Sequence, residues 1–397
     1  MEMFELNQNT RVIGIQADRK LLSNDPEATI DTISKKGVIV NKEGKIISPI
    51  LPIGILTKGG YWKRYKEVEY NKIYDLIKAS LFGFAVGDAF GVPTEFLDRE
   101  EIRKLNLQEM QEYGSHNVPK GSWSDDTSMI IATMEAIKQC NGEIDYDSIM
   151  TNFIKWYSNA RFTSLDKTFG VGKTVFQALQ NYSKGTPPLE CGGNDYMDND
   201  NGSLMRILPI SLYCIVNNFN DEETMLTINN LSALTHAHDI SKLSCYIYTI
   251  FLKNIINRKD PKDAFLETIN MDFSKYYSQR SINAHKKILS KDFLNIKDNE
   301  INQSGYVVDS LESALYSIIN TKNYEDAIKT AVSLGYDTDT VAGITGSIAG
   351  IIYGYENIPK NWLNDLKKRD YLEEIAKRFN SVILKKVNDQ SYNQVYE

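Results

Sequence analysis

Two acidic segments far apart in the chain, Ser124-Asp125-Asp126-Thr127 and Asp337-Thr338-Asp339-Thr340, share one chemistry. Each sets two carboxylates beside hydroxyl side chains. Brought together, they make an oxygen-rich, strongly negative cage that suits hard divalent cations such as Mg²⁺ or Mn²⁺. Four carboxylates exceed what one Mg²⁺ usually takes from protein, so two ions sharing the cluster is the natural reading. Paired ions can activate a water and hold the group it attacks, which points to hydrolysis. Taken singly, either segment reads equally well as a helix cap or a solvated loop. The surrounding residues carry the case.

Glu95 follows a Gly91-Val92-Pro93 turn. It is expected on a loop able to approach or leave the cage, as a proton-transfer group or part of a flap; the plainer alternative is a charge at a helix C-terminus. The Asn201-Gly202-Ser203 turn offers backbone N–H groups before an apolar helix, which suits diphosphate or ribose oxygens. The acidic run before it, 195–200, does not fit a calcium loop: with Gly202 as the central glycine, Met197 and Leu208 would be ligands. Arg206 either faces a diphosphate or serves as a structural ion-pair residue. His236 and His238, two residues apart, do not share a helix face, which weakens a zinc reading.

The elements that must position these groups are mostly helical. Ile73, Leu76, Ile77 and Phe84 fall at helical spacing, and 129–137, 174–179, 240–256 and 311–319 behave likewise. An all-α core of many helices follows. Before residue 70, segments 11–17, 37–40 and 45–48 read as short strands, with a hairpin turn at 41–44. The domain expectation is therefore a small β-rich extension over 1–69 and an all-α domain over 70–397. Two rows of glycine, Gly83, Gly87, Gly91 and Gly343, Gly346, Gly350, Gly354, are tolerable in helices only if two backbones approach closely.

Composition narrows the function classes. Of 397 residues, 42% are hydrophobic and 24% charged, as in an ordinary soluble globule. The net charge of −7, with no basic block, gives no support to nucleic-acid binding. The first residues lack the pattern of a secretory signal, and the apolar stretch 341–353 is too short for a bilayer. No membrane association is expected. Cys140, Cys191, Cys214 and Cys245 form no CxxC pair and read as reduced thiols of a cytoplasmic protein.

In order along the chain stand Gly83-Phe-Ala-Val-Gly-Asp-Ala-Phe-Gly-Val-Pro-Thr-Glu95, Trp123-Ser-Asp-Asp-Thr-Ser-Met129 and Asn201-Gly-Ser-Leu-Met-Arg206 with Pro209. Leu234-Thr-His-Ala-His238, Gly305-Tyr-Val-Val-Asp-Ser-Leu-Glu-Ser-Ala-Leu315, Leu334-Gly-Tyr-Asp-Thr-Asp-Thr-Val-Ala-Gly343 and Ile358-Pro-Lys-Asn-Trp-Leu363 follow. This ordered set resembles the ADP-ribosylglycohydrolase family, whose bacterial members include the hydrolase that reactivates ADP-ribosylated nitrogenase reductase. The first 70 residues fall outside it.

The resemblance implies an orthogonal all-α bundle holding two Mg²⁺ (or Mn²⁺) ions in a cleft. Ser124, Asp125, Asp126, Asp337, Asp339 and Thr340 would be the ligands, and Glu95, with Asp126 and Asp339, would carry catalysis. It places Asn201, Gly202, Ser203, Arg206, His236 and the loop glycines Gly170 and Gly172 at the substrate, with N-capping the alternative for His236. The implied substrate is an ADP-ribosylated protein and the product ADP-ribose. A rival reading is an immunity protein that occludes an ADP-ribosyltransferase toxin through the extension, where Tyr61-Trp62-Lys-Arg-Tyr65 offers a surface.

Three positions depart from the family pattern. Ser124 stands where threonine is commoner and keeps a hydroxyl. Tyr336 replaces a usual glycine and adds bulk beside the ions. Gly170 stands where many bacterial relatives carry an aspartate implicated in catalysis, which leaves the base and the linkage open.

Overall fold

The computed structural model describes residues 10–13, 38–41, 46–48, 61–257 and 259–383, with side chains from residue 72 onward. The chain divides into two compact units, Met1–Ile73 and Tyr74–Glu397. In the first, strands β1 (Thr10–Ile13), β2 (Val38–Asn41) and β3 (Ile46–Ser48) form an antiparallel sheet in the order β1-β2-β3. Thr10 pairs with Asn41 and Ile13 with Val38, and a bulge interrupts the second pairing between Ile39 and Val40. Most of the hairpin turn and residues 14–17 of the first expected strand lie outside the described residues.

Fifteen α-helices are described: α1 (Tyr61–Gly91), α2 (Arg99–Leu105), α3 (Asp125–Gln139), α4 (Tyr146–Asn159), α5 (Lys173–Ser183), α6 (Leu208–Val216), α7 (Asp221–Ala233), α8 (Asp239–Ile256), α9 (Pro261–Ile269), α10 (Gln279–Ala284), α11 (Val307–Ile319), α12 (Tyr324–Ser333), α13 (Thr338–Tyr353), α14 (Lys360–Asp365) and α15 (Arg369–Ile383). Together they make the expected all-α fold. Helix α1 begins before residue 70, so the Tyr61–Tyr65 cluster lies on its backbone rather than in a β-rich segment. The reason is local. Gly59 and Gly60 end just before it, and residues 61–70 contain Lys and Glu but neither Gly nor Pro. Its apolar stripe starts only at Ile73, which hides the true start from periodicity.

At the centre, α1 and α13 pack backbone to backbone. A Cβ added to Gly83 would lie 2.2 Å from the Gly346 carbonyl oxygen, one on Gly87 2.1 Å from that of Ala342, and one on Gly91 2.3 Å from that of Thr338. Gly350 meets the Ala79 carbonyl in the same way, at 2.1 Å. Gly354 is different: nothing lies within 4 Å of its Cβ position, and at φ +86° it caps α13 instead of joining the row. The segment Lys72–Thr94 is long and apolar enough to cross a membrane by composition, but 89% of its most apolar window is buried within the fold. It is a core helix. This close approach fixes the C-terminal end of α1 against the N-terminal end of α13, where the acidic residues sit.

Candidate active site

Both acidic segments open helices. Ser124 is the N-cap of α3, its hydroxyl accepting from the Asp126 N–H at 3.3 Å, so Asp125 and Asp126 occupy the first turn. Asp337 is the N-cap of α13, with Asp339 and Thr340 in its first turn. Carboxylates are favoured at helix N-termini, where free N–H groups and the macrodipole meet them. The two ends converge. Asp126 is raised well above the usual carboxylate range by burial and then by Asp125, Asp88 and Asp337; Asp339 is raised well above it by burial, Glu95 and Asp126. Asp125 is pushed up in the same manner by burial, Glu95 and Asp88, and Asp337 to about 6 by burial and Glu95.

Asp88, inside α1, orients the first segment and was given no role in the sequence reading. Fully buried, it accepts from the backbone N–H of Ser124 at 2.9 Å, from that of Thr127 at 3.1 Å and from the Thr127 hydroxyl at 2.5 Å. Burial pushes its carboxyl up to about 6. The available signal was a carboxylate within the apolar stripe of a core helix. Asn201 does the same for the second segment, donating to Asp337 Oδ2 at 2.8 Å and to Ser310 Oγ at 2.8 Å.

The donor set fits hard cations. All its atoms are oxygen, Asp126 Oδ2 is buried with no hydrogen-bond partner among the described residues, and the neighbouring carboxylates raise one another's pKa values. Glu95, His116 and Asp339 also present ligand atoms within 4.8 Å of one another. His116 was missed by sequence reasoning. Its Nε2 hydrogen-bonds the Glu95 carboxylate, both side chains being largely buried, and that bond raises its pKa.

The segment carrying Glu95 is strapped on two sides. Ser115 N–H donates to the Pro93 carbonyl at 3.0 Å and the Ser115 hydroxyl to that of Glu95. Opposite, Phe96 N–H donates to the Tyr336 carbonyl at 2.6 Å and Tyr336 N–H to that of Leu97 at 2.8 Å. Gly170, at φ +80°, closes over the cluster: a Cβ there would lie 2.1 Å from Asp125 Oδ1. Gly172 lies beside Asp200 instead, whose Oδ1 is 4.0 Å from its Cβ position.

Comparison with known proteins decides the family. Residues 69–390 match the model of the ADP-ribosylglycohydrolase family. The chain belongs to the ADP-ribosylglycohydrolase family. It is 32% identical over 310 residues to the ADP-ribosylarginine hydrolase Tri1 of Serratia proteamaculans (strain 568), covering 77% of this chain and 78% of that protein. It is 26% identical over 306 residues to the ADP-ribosyl-[dinitrogen reductase] glycohydrolase of Rhodospirillum rubrum, covering 74% of this chain and 91% of the relative. A solved structure described as an ADP-ribosylglycohydrolase-related protein complex superimposes with a TM-score of 0.63 at 25% identity, over 79% of this chain and 99% of that one.

Within this ADP-ribosylglycohydrolase fold, several residues expected at the substrate have buried side chains bonded to the protein itself. Arg206 is fully buried, donates to the Leu231 carbonyl at 3.2 Å and to Thr235 Oγ1 at 2.7 Å, and lies 4.9 Å from the Phe153 ring. Its guanidinium faces the core, and it forms no ion pair among the described residues. Ser203 is likewise buried, its hydroxyl 3.5 Å from Cys245 Sγ. A short turn over Asn201–Arg206 leads directly into the apolar helix α6, and this draws both side chains into the core. Gly202 faces inward as well, its Cβ position 2.8 Å from the His236 ring.

His236 is buried too. Its Nε2 hydrogen-bonds Asp200 Oδ1 at 2.7 Å and its Nδ1 hydrogen-bonds Thr235 Oγ1 at 2.7 Å. His238, not His236, is the N-cap of α8. Arg206, Thr235, His236 and Asp200 therefore form one hydrogen-bonded chain. Burial pushes the Asp200 carboxyl up, but His236 and the bonds from Thr174 and Gly202 hold it below the usual range. Asp200, half exposed at the end of this chain, is the polar group presented beside Gly172.

Proposed function

We propose that the protein hydrolyses the bond between the distal ribose C1″ of ADP-ribose and the guanidinium of a modified arginine, using two Mg²⁺ or Mn²⁺ ions. The observation that carries this is the buried, mutually repelling carboxylate cluster at the joined N-termini of α3 and α13 with Glu95 beside it. The arginine linkage is supported by the likeness to ADP-ribosylarginine hydrolase Tri1. Ser124, Asp125, Asp126, Asp337, Asp339 and Thr340 would hold the ions. Bound there, the ions supply positive charge that polarises the ribose hydroxyls and an attacking water.

The chain's own residues do the rest. Asp88 fixes the Ser124–Thr127 turn and Asn201 the Asp337 carboxylate before substrate arrives, so little reorganisation accompanies reaction. Glu95, aimed by His116, takes a proton from the attacking water as the C1″–N bond breaks and the water oxygen bonds to C1″. The ribose passes through an oxocarbenium-like transition state, which the surrounding carboxylates favour. Glu95 serves as the base where Gly170 supplies no side chain.

The test is release of ADP-ribose from arginine-linked and serine-linked substrates, with and without Mg²⁺ or Mn²⁺. Metal-dependent release from arginine, reduced at least a hundredfold by Asp339→Ala and by Glu95→Gln, is the expected result. Release from no linkage, or release indifferent to chelator, defeats it. Reversal of a modification made by an ADP-ribosyltransferase toxin is the role we infer. In cells expressing an arginine-specific transferase, Asp339→Ala should abolish protection; retained protection would favour occlusion of the toxin.

A further inference from the structure

Four rings run in an unbroken arc past the carboxylates. Phe169 and His116 have centroids 5.3 Å apart, His116 and Phe96 5.9 Å, and Phe96 and Tyr336 6.3 Å. They come from separate loops, yet each is tied to the cluster. Phe96 follows Glu95, His116 hydrogen-bonds it, Phe169 precedes Gly170 against Asp125, and Tyr336 precedes Asp337. The first two rings are partly buried and the last two exposed. Phe169 and His116 are half-buried, whereas Phe96 is 61% and Tyr336 43% exposed.

The outer two rings are also held in an unfavourable way. Phe96 has φ +69° and Tyr336 φ +67°, the left-handed region that bulky residues avoid. Their reciprocal backbone bonds, Phe96 N–H to Tyr336 and Tyr336 N–H to Leu97, maintain it. Large exposed rings kept in strained conformations contribute little to a core. They suit a ligand surface.

We infer that this arc is the leaving-group subsite, which receives the guanidinium of the modified arginine; the inference rests on the proposed arginine linkage. The cluster fixes where C1″ reacts, and the middle rings of the arc, His116 and Phe96, flank Glu95, so the nearest substrate group outside the ribose is the leaving side chain. Adenine lies at the other end of the molecule, beyond the diphosphate. The leaving group is joined to a protein and must run outward, past the exposed rings of Phe96 and Tyr336. A guanidinium is planar and cationic. It stacks on aromatic faces and is drawn by the carboxylates behind them. A serine linkage offers neither plane nor charge, so the arc would also set specificity.

The experiment uses the full chain loaded with Mg²⁺ or Mn²⁺. Tyr336→Gly keeps the backbone, because glycine takes positive φ freely; Tyr336→Leu keeps bulk at the same strain and removes the ring. Both should raise KM for ADP-ribosylarginine about tenfold, leave the Kd of free ADP-ribose within about twofold, and be reversed by Tyr336→Phe. Phe96→Asn should add to the effect. An unchanged KM in the Phe96/Tyr336 double variant overturns the inference. So does a loss of ADP-ribose affinity in step with KM, which would assign the rings to adenine. If the wild-type chain releases ADP-ribose from serine but not arginine, the functional reading itself fails, and the subsite with it. Should Tyr336→Gly not fold, Tyr336→Leu decides the same question.

Discussion

Burying a guanidinium with two nitrogens unpartnered, as the Arg206 Nε and Nη1 are among the described residues, is costly unless other contacts offset it. Here the offsets are the Phe153 face, the Leu231 carbonyl and the Thr235 hydroxyl, and burial still lowers the pKa to about 10. Its side chain starts the hydrogen-bonded chain that ends at Asp200. Arg206→Ala should therefore lower stability by about 3–5 kcal/mol, from a cavity and a lost network, measured by urea unfolding. The Kd of the folded fraction for ADP-ribose should stay within about twofold. A tenfold loss of affinity in folded protein would return the guanidinium to the diphosphate. A motif places such a residue in the chain, but it does not say whether the side chain points at the ligand or into the core. For Ser203, Arg206 and His236 that depended on how the Asn201–Arg206 turn enters α6, a tertiary property.

Helix α13 joins the metal-site residues to the central packing, so its small residues are expected to matter twice. Alanine is a better helix former than glycine by about 1 kcal/mol. Even so, Gly346→Ala would put a methyl 2.1 Å from the Gly83 carbonyl oxygen and force α1 and α13 apart. The predicted outcome is a net loss of about 2–4 kcal/mol, with weaker Mn²⁺ binding by calorimetry because the Asp337–Thr340 turn moves with its helix. Gly354→Ala, at a position open to 4 Å, should instead show only the cost of its positive φ. The helical core, the acidic segments and the paired glycine rows were legible because each leaves a local trace: periodicity, capping residues, or a glycine cost that needs explaining. His116 left none, and Asp88 only a carboxylate out of place in an apolar stripe. A histidine between loop residues and an aspartate in an apolar run gain meaning only once Glu95 and the Ser124 turn are placed beside them.

For the molecule as a whole, the buried acids make stability depend on pH and on cations together. Asp88 and Asp337 have folded pKa values of about 6, raised by burial, and Asp125, Asp126 and Asp339 are raised well above the usual range. Between about pH 4, where an unfolded carboxyl titrates, and pH 6, the metal-free folded chain binds more protons than the unfolded chain. Its stability from these groups therefore falls as pH rises. His285 acts in the opposite sense. Burial lowers its pKa to about 4, so its contribution falls as pH drops from the ordinary histidine range towards 4. The two are separable because His285 hydrogen-bonds Ser244 and Ser281 and is not among the cluster residues. Added Mg²⁺ or Mn²⁺ replaces the protons on the carboxylates alone, so the gain in Tm on adding cation should grow as pH rises from 5 to 7, while the His285 contribution cancels in the difference. Asp339→Asn should raise the metal-free Tm at pH 7 by a few degrees, because it removes a buried carboxyl whose ionisation the fold opposes, and should remove most of the gain from cation. A cation-induced Tm gain that is constant between pH 5 and 7, or retained in Asp339→Asn, would mean that the ions bind elsewhere and that the cluster is stabilised by some other means.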